Sequence, residues 1–379
     1  MMPDVGAKID GRPTRAEIDL GALRRNLAWI GERAGGRRVI AVVKADGYGH
    51  GAVRVSRELV SAGCAALAVA TLEEASELRE AGITGPILLL EGIHHPGDAD
   101  PALQLETTPV VARPEALPIL EAAADRAGRP WPVHLKFDTG MSRLGVGLDQ
   151  ASALFEGLSR SRVLECQGLM SHLADADDPD SPTPARQQER FRAVVAQARD
   201  AGLRPDWVHL DNSAGVIRGP APDTTAVRPG LLLYGPDPTL EGGFGLEPVM
   251  TLCTRVIQQR DVPKGTRIGY GGTFTTPRAT RVLTVPIGYA DGLPRAAGGR
   301  FSVGFRGRRI PLVGRVSMDL ATVDGGPDSD GEVGEEILVF GRRGDFEIRV
   351  EELAEAVGTI AYEILVGIGG RVPRVRRDS

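Results

Sequence analysis

The chain has 379 residues with 45 Lys and Arg against 50 Asp and Glu, and its formal net charge of −5 is not gathered into blocks, so no nucleic-acid surface is indicated. Hydrophobic residues make up 42% and charged residues 25%, the balance of a globular protein with a sizeable core and room for two domains. No apolar run reaches the length of a membrane span, and Met1 to Arg15 is polar without a signal-peptide core, so no membrane association and a cytoplasmic location are expected.

Residues 1–13 read as a loose arm, and Thr14 to Leu27 passes from alternating to helical spacing. Val39 to Val43 is a short β-branched run, the pattern of a strand buried on both faces in a parallel sheet. Lys44 ends that run. Gly47, Gly49 and Gly51 then permit backbone angles other residues resist, before Ala52 opens a helical pattern. The theme repeats to about residue 235, with apolar stretches at Ala66–Ala70, Ile87–Leu90, Thr108–Val111, Val133–Phe137, Cys166–Ser171, Trp207–Leu210 and Ala226–Arg228. Helical patterns such as Leu72–Ala81, Pro114–Ala127 and Pro184–Ala201 alternate with them. Eight such units predict an α/β fold, a TIM-like (β/α)8 barrel over residues 14–245, and no GxGxxG or P-loop pattern argues for an open sheet. Beyond residue 246, Val249–Val262, Arg281–Ile287, Phe301–Phe305, Ile310–Val316 and Ile337–Val339 predict a mostly β C-terminal domain over 246–379, with one late helix at Val350–Val366. Cys64, Cys166 and Cys253 are odd in number and widely spaced, which predicts buried reduced thiols and neither a disulfide framework nor a metal site.

Polar residues fall where the predicted barrel strands end: Lys44 after the first, Lys136 at the fifth, His172 at the sixth, Asn212 and Ser213 at the seventh, Arg228 at the eighth. One rim of one barrel would gather them, the rim where such barrels bind ligands. A lysine among apolar neighbours there suits Schiff-base formation with a carbonyl, although it could equally salt-bridge at the strand end. The loops after strands seven and eight, where barrels of this kind hold phosphate, carry Asn212, Ser213, Gly230 and Leu231; Asn212-Ser213 also reads as an ordinary helix N-cap.

Val-Val-Lys44-Ala-Asp-Gly-Tyr48-Gly-His50-Gly closely resembles the cofactor-lysine motif of alanine racemases, which interconvert L- and D-alanine with pyridoxal 5′-phosphate (PLP). The resemblance covers nearly the full length and implies a PLP-binding barrel followed by a β domain. It implies that Lys44 carries PLP as a Schiff base, that Tyr48 holds its phosphate, and that Arg228, in Val-Arg-Pro-Gly-Leu, hydrogen-bonds the pyridine nitrogen. His172, in Met-Ser-His-Leu, would link Arg228 to a catalytic tyrosine, where a lone histidine otherwise reads as core. In Asp138-Thr-Gly-Met-Ser-Arg-Leu-Gly145, Arg143 would contact the cofactor's phenolic oxygen and orient the substrate carboxylate. Lys136 matches a lysine that is carbamylated in some members.

A racemase needs a base on each face of the α-carbon. The resemblance gives Lys44 one face and Tyr270, in Ile268-Gly-Tyr-Gly-Gly-Thr-Phe274, the other, with the tyrosine reaching the partner subunit's barrel in a homodimer. Tyr289 would line the substrate entrance and Met318 contact the substrate carboxylate. Gly370 stands where some members have an entrance tyrosine. The residues also leave room for a broader racemase or a barrel-type decarboxylase, although Cys253 lacks a decarboxylase context, and for a non-catalytic PLP carrier, which would resemble the barrel alone.

Overall fold

Alternation after Thr14 resolves into strand β1 (Arg15–Ile18), followed at once by helix α1 (Leu20–Arg33). The structure, a computed structural model, describes residues 11–327 and 329–377. It divides into two units, one holding Leu20–Glu247 and the other the described residues up to Asp19 with those from Pro248 onward.

In the first unit, β2 (Arg38–Val42), β3 (Ala66–Val69), β4 (Ile87–Leu89), β5 (Thr107–Val111), β6 (Trp131–Lys136), β7 (Leu164–Met170), β8 (Trp207–His209) and β9 (Ala226–Val227) form a closed barrel in chain order. Closure is parallel, with Arg38 and Val39 of β2 opposite Ala226 and Val227 of β9. This is the predicted eight-stranded barrel. Its helices are α2 (Ala52–Ser61), α3 (Leu72–Glu80), α4 (Ala99–Gln104), α5 (Ala116–Ala127), α6 (Ala151–Arg160), α7 (Thr183–Asp200) and α8 (Ser213–Arg218). Their apolar faces meet the strands: Leu120 of α5, Phe155 of α6 and Val194 of α7 share one buried cluster with Val133, Leu135 and Leu169. Each such side chain contributes roughly 1.5–3 kcal/mol on burial. Between β6 and β7 the register slips, so that Val133 faces Cys166 but His134 faces Gly168, leaving Gln167 as the bulged residue.

The second unit holds β10 (Met250–Arg255), β11 (Gln258–Val262), β12 (Arg267–Ile268), β13 (Phe274–Thr275), β14 (Thr280–Val285), β15 (Ser302–Phe305), β16 (Arg308–Pro311), β17 (Ala321–Gly326), β18 (Glu336–Arg343), β19 (Phe346–Ile348) and β20 (Arg374–Arg376). One sheet runs β16-β15-β18-β10-β1-β20 with β19 on β18, a second runs β11-β14-β17, and β12 pairs with β13 alone. A domain boundary at residue 14 puts β1 with the barrel, but its hydrogen bonds put it here, because Ala16 and Ile18 bury the same face as Leu252 and Met250 opposite them. The single apolar stretch Val249–Val262 is two strands in different sheets. The late helix is likewise two, α9 (Val350–Val357) and α10 (Ala361–Val366), because Gly358 takes a left-handed φ of 79° and ends the first.

Glu17, Cys253 and Glu336 approach one another on β1, β10 and β18. Arg343 bonds both carboxylates, at 2.6 Å each, and Arg15 does the same at 2.7 and 2.9 Å. Burial pushes the two acids up, yet Arg343 and then Arg15 outweigh it and hold both below their usual range. We read this cluster as an ion-pair network joining three strands. Cys253 is buried, whereas Cys64 and Cys166 are only half-buried, and all three are free thiols that burial pushes up to about 12.

Candidate active site

Lys44 stands half-buried two residues beyond β2. The glycines after it were expected to carry the unusual backbone, and Gly47, Gly49 and Gly51 do so with φ of 59°, 78° and 93°. Ala45, Asp46 and Tyr48 join them at 52°, 54° and 53°, making a left-handed turn in which three side chains accept a costly conformation. Neighbours hold it there. Glu74, at the start of α3, accepts from the backbone N–H of Ala45 at 2.6 Å through one oxygen and of Ala70 at 2.7 Å through the other. The Asp46 carboxylate accepts from Ala52 N–H at 2.7 Å, and Gly47 N–H donates to Val43 O at 2.8 Å. A Cβ on Gly47 would come within 2.7 Å of Val55 Cγ2, so space, more than φ, favours glycine there.

The turn delivers Tyr48 to a buried position, stacked on Tyr234 at 4.9 Å between ring centres. The Tyr234 hydroxyl donates to Val42 O at 3.1 Å, and the His50 ring lies 4.5 Å from Tyr234. Gly230 makes room for the phenol, since a Cβ there would sit 2.2 Å from Tyr48 Oη. Ser213 Oγ accepts from the N–H groups of Gly230 and Leu232 at 3.0 and 3.3 Å, leaving its own proton to give. Leu231 opens a 3₁₀ turn (Leu231–Tyr234), whose first N–H groups lack partners within the turn. The helix N-cap expected at Asn212-Ser213 is Asn212. Asn212 is the cap of α8, accepting from Gly215 N–H at 3.0 Å, with its amide donating to Leu173 O, while Ser213 faces the loop after β9.

Arg228 is buried and firmly held: it donates to His209 Nδ1 at 2.6 Å, to His172 Nδ1 at 2.9 Å and to Ser171 O at 2.8 Å. Because arginine only donates, both histidines must accept at Nδ1 and carry their proton on Nε2. His209 Nε2 then donates to His134 Nδ1 at 2.9 Å. Burial is the main cause that pushes all three imidazoles down, His134 to about 3, with the charge of Arg228 adding to it. Burial also lowers Arg228, to about 10, against the opposing charge of Asp211, whose own carboxyl burial raises. Gly168, opposite His134, is the position that lets the ring in, since a Cβ there would lie 2.6 Å from it.

Lys136 is the buried lysine of the rim. Burial first, then the charges of Arg228, Arg143 and Lys44, bring its amine down to about 8. Arg143 is exposed on a loop that Asp138 folds by accepting from the N–H groups of Gly140, Met141 and Ser142 at 2.9, 2.9 and 3.0 Å. The positive charges of Arg228, Lys136, Arg143 and Lys44 add to burial in holding the His172 imidazole neutral, and hydrogen bonds join Arg228 to His172 and Gly230 to Ser213. Sequence reasoning missed His209, His134, Tyr234, Glu74 and Gln187.

In the second unit Tyr270 tips the β12–β13 hairpin, flanked by left-handed Gly269, Gly271 and Gly272, and is 70% exposed. Tyr289 and Met318 are also exposed, on segments joined by hydrogen bonds from Tyr289 N–H to Ser317 O (3.1 Å) and Ala290 N–H to Met318 O (3.0 Å). Gly370 joins the same group through Gly369 N–H on Asp291 O at 3.2 Å, and Arg371 bridges Asp291 and Asp319. A Cβ on Gly370 would meet nothing within 4 Å.

The donor set suits PLP. Tyr48 and Ser213 supply hydroxyls for a phosphate beside a turn opened by Leu231, Arg143 offers a cation to a carboxylate, and the Lys44 amine can take an aldehyde. Among the described residues no helix is long and apolar enough to cross a membrane.

The family model of the alanine racemase N-terminal domain matches residues 18–238, and that of the C-terminal domain matches residues 249–376. The alanine racemase of Synechocystis sp. is 42% identical over 363 residues, 95% of this chain and 97% of its own. That of Geobacter sulfurreducens is 41% identical over 375 residues, 97% and 98% of the two chains. The solved alanine racemase of Streptomyces coelicolor A3(2) superposes with a TM-score of 0.91 at 40% identity, covering 97% of this chain and 98% of that one. With both domains matched along nearly their full length, the chain belongs to the alanine racemase family, PLP-dependent isomerases that interconvert L- and D-alanine.

Proposed function

We propose that Lys44 holds PLP covalently, that Tyr48, Ser213 and Leu231 N–H grip its phosphate, and that Arg228 donates to its ring nitrogen. The observation that carries this reading is Arg228 held between His172 and His209 at one strand-end rim, with Tyr48 Oη and Ser213 Oγ meeting at Gly230 two residues on. Gly230 contributes by having no side chain, and Asn212 by capping the turn that presents Ser213. When bound, PLP supplies an electron sink that lets an amino acid give up its α-proton. Lys44 Nζ, freed when the substrate's own amine replaces it on the cofactor, would take or return that proton on one face and Tyr270 Oη on the other. Arg143 and Met318 hold the substrate carboxylate. Arg228 keeps its own protons, leaving the ring nitrogen unprotonated, which favours return of the proton to the same carbon. His172, neutral and oriented by Arg228, relays toward the tyrosine.

The working unit is a homodimer in which the partner subunit's Tyr270 completes each site. The exposure of Tyr270, Tyr289 and Met318 on one unit supports this, since aromatic and apolar groups left in solvent mark contact surfaces. A cytoplasmic location and the supply of D-alanine for peptidoglycan complete the reading.

The direct test is racemisation of L-alanine with and without added PLP, joined to borohydride reduction and peptide mapping. Label on Lys44 and loss of activity in Lys44→Ala are expected; label on another lysine overturns the assignment. Lys136 is a separate case: as a buried amine brought down to about 8 it is open to carbamylation, so protein in labelled bicarbonate should give a carbamate carbon signal that Lys136→Ala lacks.

A further inference from the structure

We propose that Gln187 is a positioning residue for the substrate end of the site, locking the loop that bears Arg143 to the segment that bears His172. The proposal rests on the reading of Arg143 as a carboxylate-orienting group. Gln187 lies in the first half of α7, is 1% exposed and spends its whole amide on two loops. Its Nε2 donates to His172 O at 2.8 Å and to Thr139 Oγ1 at 3.3 Å, while Oε1 accepts from Ala174 N–H at 2.9 Å.

The hydrogen bonds beyond it have one possible direction. Ser171 Oγ donates to Phe137 O at 2.8 Å, so in its 2.7 Å bond with Thr139 Oγ1 it accepts. Thr139 therefore gives its only proton to Ser171 and accepts from Gln187. Thr139 and Ser171 are each 1% exposed, so no water competes along this chain. Arg190, three residues beyond Gln187, adds a bond to Thr139 O at 3.0 Å.

Internally the loop from Asp138 to Gly145 is a rigid piece. Asp138 folds it, Asp138 N–H donates to Val146 O at 3.0 Å, Val146 N–H donates to Lys136 O at 2.8 Å, and a Cβ on Gly145 would collide with Asp138 N at 2.5 Å. At its base the piece is joined to the neighbouring strand end by Phe137 N–H on Met170 O at 2.9 Å, and at Thr139 by the Gln187–Thr139–Ser171 chain, with Arg190 beside it. Ser171 O and His172 Nδ1 both receive Arg228, so the chain ties the Arg143 loop to the Arg228–His172 pair. A rigid loop that loses its anchor moves as a whole, and misplacement by about 1 Å can cost roughly a hundredfold in rate.

A plain structural pin would lose stability and nothing else, so the test uses a readout with its own pH dependence. In the holoenzyme, binding of propionate, a carboxylate without an amino group, is followed by the bound cofactor's absorbance. Gln187→Leu should weaken it about tenfold at every pH. Gln187→Glu can donate to His172 O only while protonated, and its buried carboxyl should titrate well above the usual range. Its propionate binding should therefore be near wild type at about pH 6 and about tenfold weaker by about pH 9, beyond whatever change the wild type shows. If Gln187→Leu does not fold, Thr139→Val breaks the next link and should give the same pH-independent loss. Folded Gln187 variants that bind propionate as wild type, where Arg143→Ala weakens it, would overturn the proposal. If Arg143→Ala changes nothing, the Arg143 reading fails instead, and the proposal then stands or falls on amide exchange over residues 138–146, which must speed up in Gln187→Leu.

Discussion

Tyr48 Oη occupies the place a side chain on residue 230 would take. Gly230→Ala should therefore displace the phenol and weaken PLP retention at least about tenfold in equilibrium dialysis while leaving the fold intact, the behaviour expected of Tyr48→Phe as well. Unchanged retention in Gly230→Ala would remove Tyr48 from the phosphate. Arg228→Glu puts an acceptor where two imidazoles also accept, so both should gain protons more readily, racemisation should fall by about a hundredfold, and the share of transaminated product should rise. The product ratio decides that point. Lys44, Lys136, His172, Ser213 and Arg228 were legible because each interrupts an apolar run at its end, where barrels keep their chemistry. His134 and His209 were not, because they lie within strands, where a lone histidine looks like core and only the bulge at Gln167 and the missing Cβ of Gly168 explain how it fits. Gln187 was hidden in a polar helix among many solvated residues.

At the scale of elements, the barrel strands were legible to within about two residues because alternating apolar runs and helical spacing are local signals. The second unit was less so: β17, β19 and β20 are short or mixed in polarity, and their place depends on partners far along the chain. The left-handed turn after Lys44 also escaped, since Ala and Tyr carry no preference for it and cost about 1–2 kcal/mol each there, and Asp alone visits it more readily. Glu74 is the prop that opposes this cost, and Glu74→Ala should lower the melting temperature by several degrees and weaken PLP retention together. A fall in one without the other would mean that the turn and the cofactor are independent. At the other end of the chain, the backbone of Gly370 does not take a positive φ and has space for a side chain. Gly370→Tyr should fold, retain PLP better and discriminate more strongly against serine; a folded variant with the same alanine-to-serine preference would place residue 370 away from the entrance.

The whole molecule carries a pH dependence in its barrel. His134, His172 and His209 are held neutral by burial, so below about pH 6.5 the unfolded chain binds protons that the folded one refuses. Stability must then fall as pH falls, each histidine adding a slope of about 1.4 kcal/mol per pH unit, and for His134 this persists down to about pH 3. Melting temperature between pH 7 and 5 should drop, and His134→Gln, which can still accept from His209, should drop less. At the level of the assembly, mixing inactive Lys44→Ala and Tyr270→Phe subunits should restore racemisation, because one site of each heterodimer would hold both bases; verified heterodimers without activity would argue for a same-chain tyrosine.

Strand β1 pairs with β10 on one side and, in parallel, with β20 on the other. Synthesis on the ribosome runs in the opposite sense to that pairing. Arg15–Ile18 emerges before the barrel strands, yet its partners at 250–255 and 374–376 come only after the entire barrel sequence has been made. For all that time both of its edges are unsatisfied, the state in which strands recruit wrong partners. The barrel can close earlier, once Ala226 and Val227 have met β2, so pulse-labelled amide exchange during refolding should protect the barrel strands first and the seven-stranded sheet last.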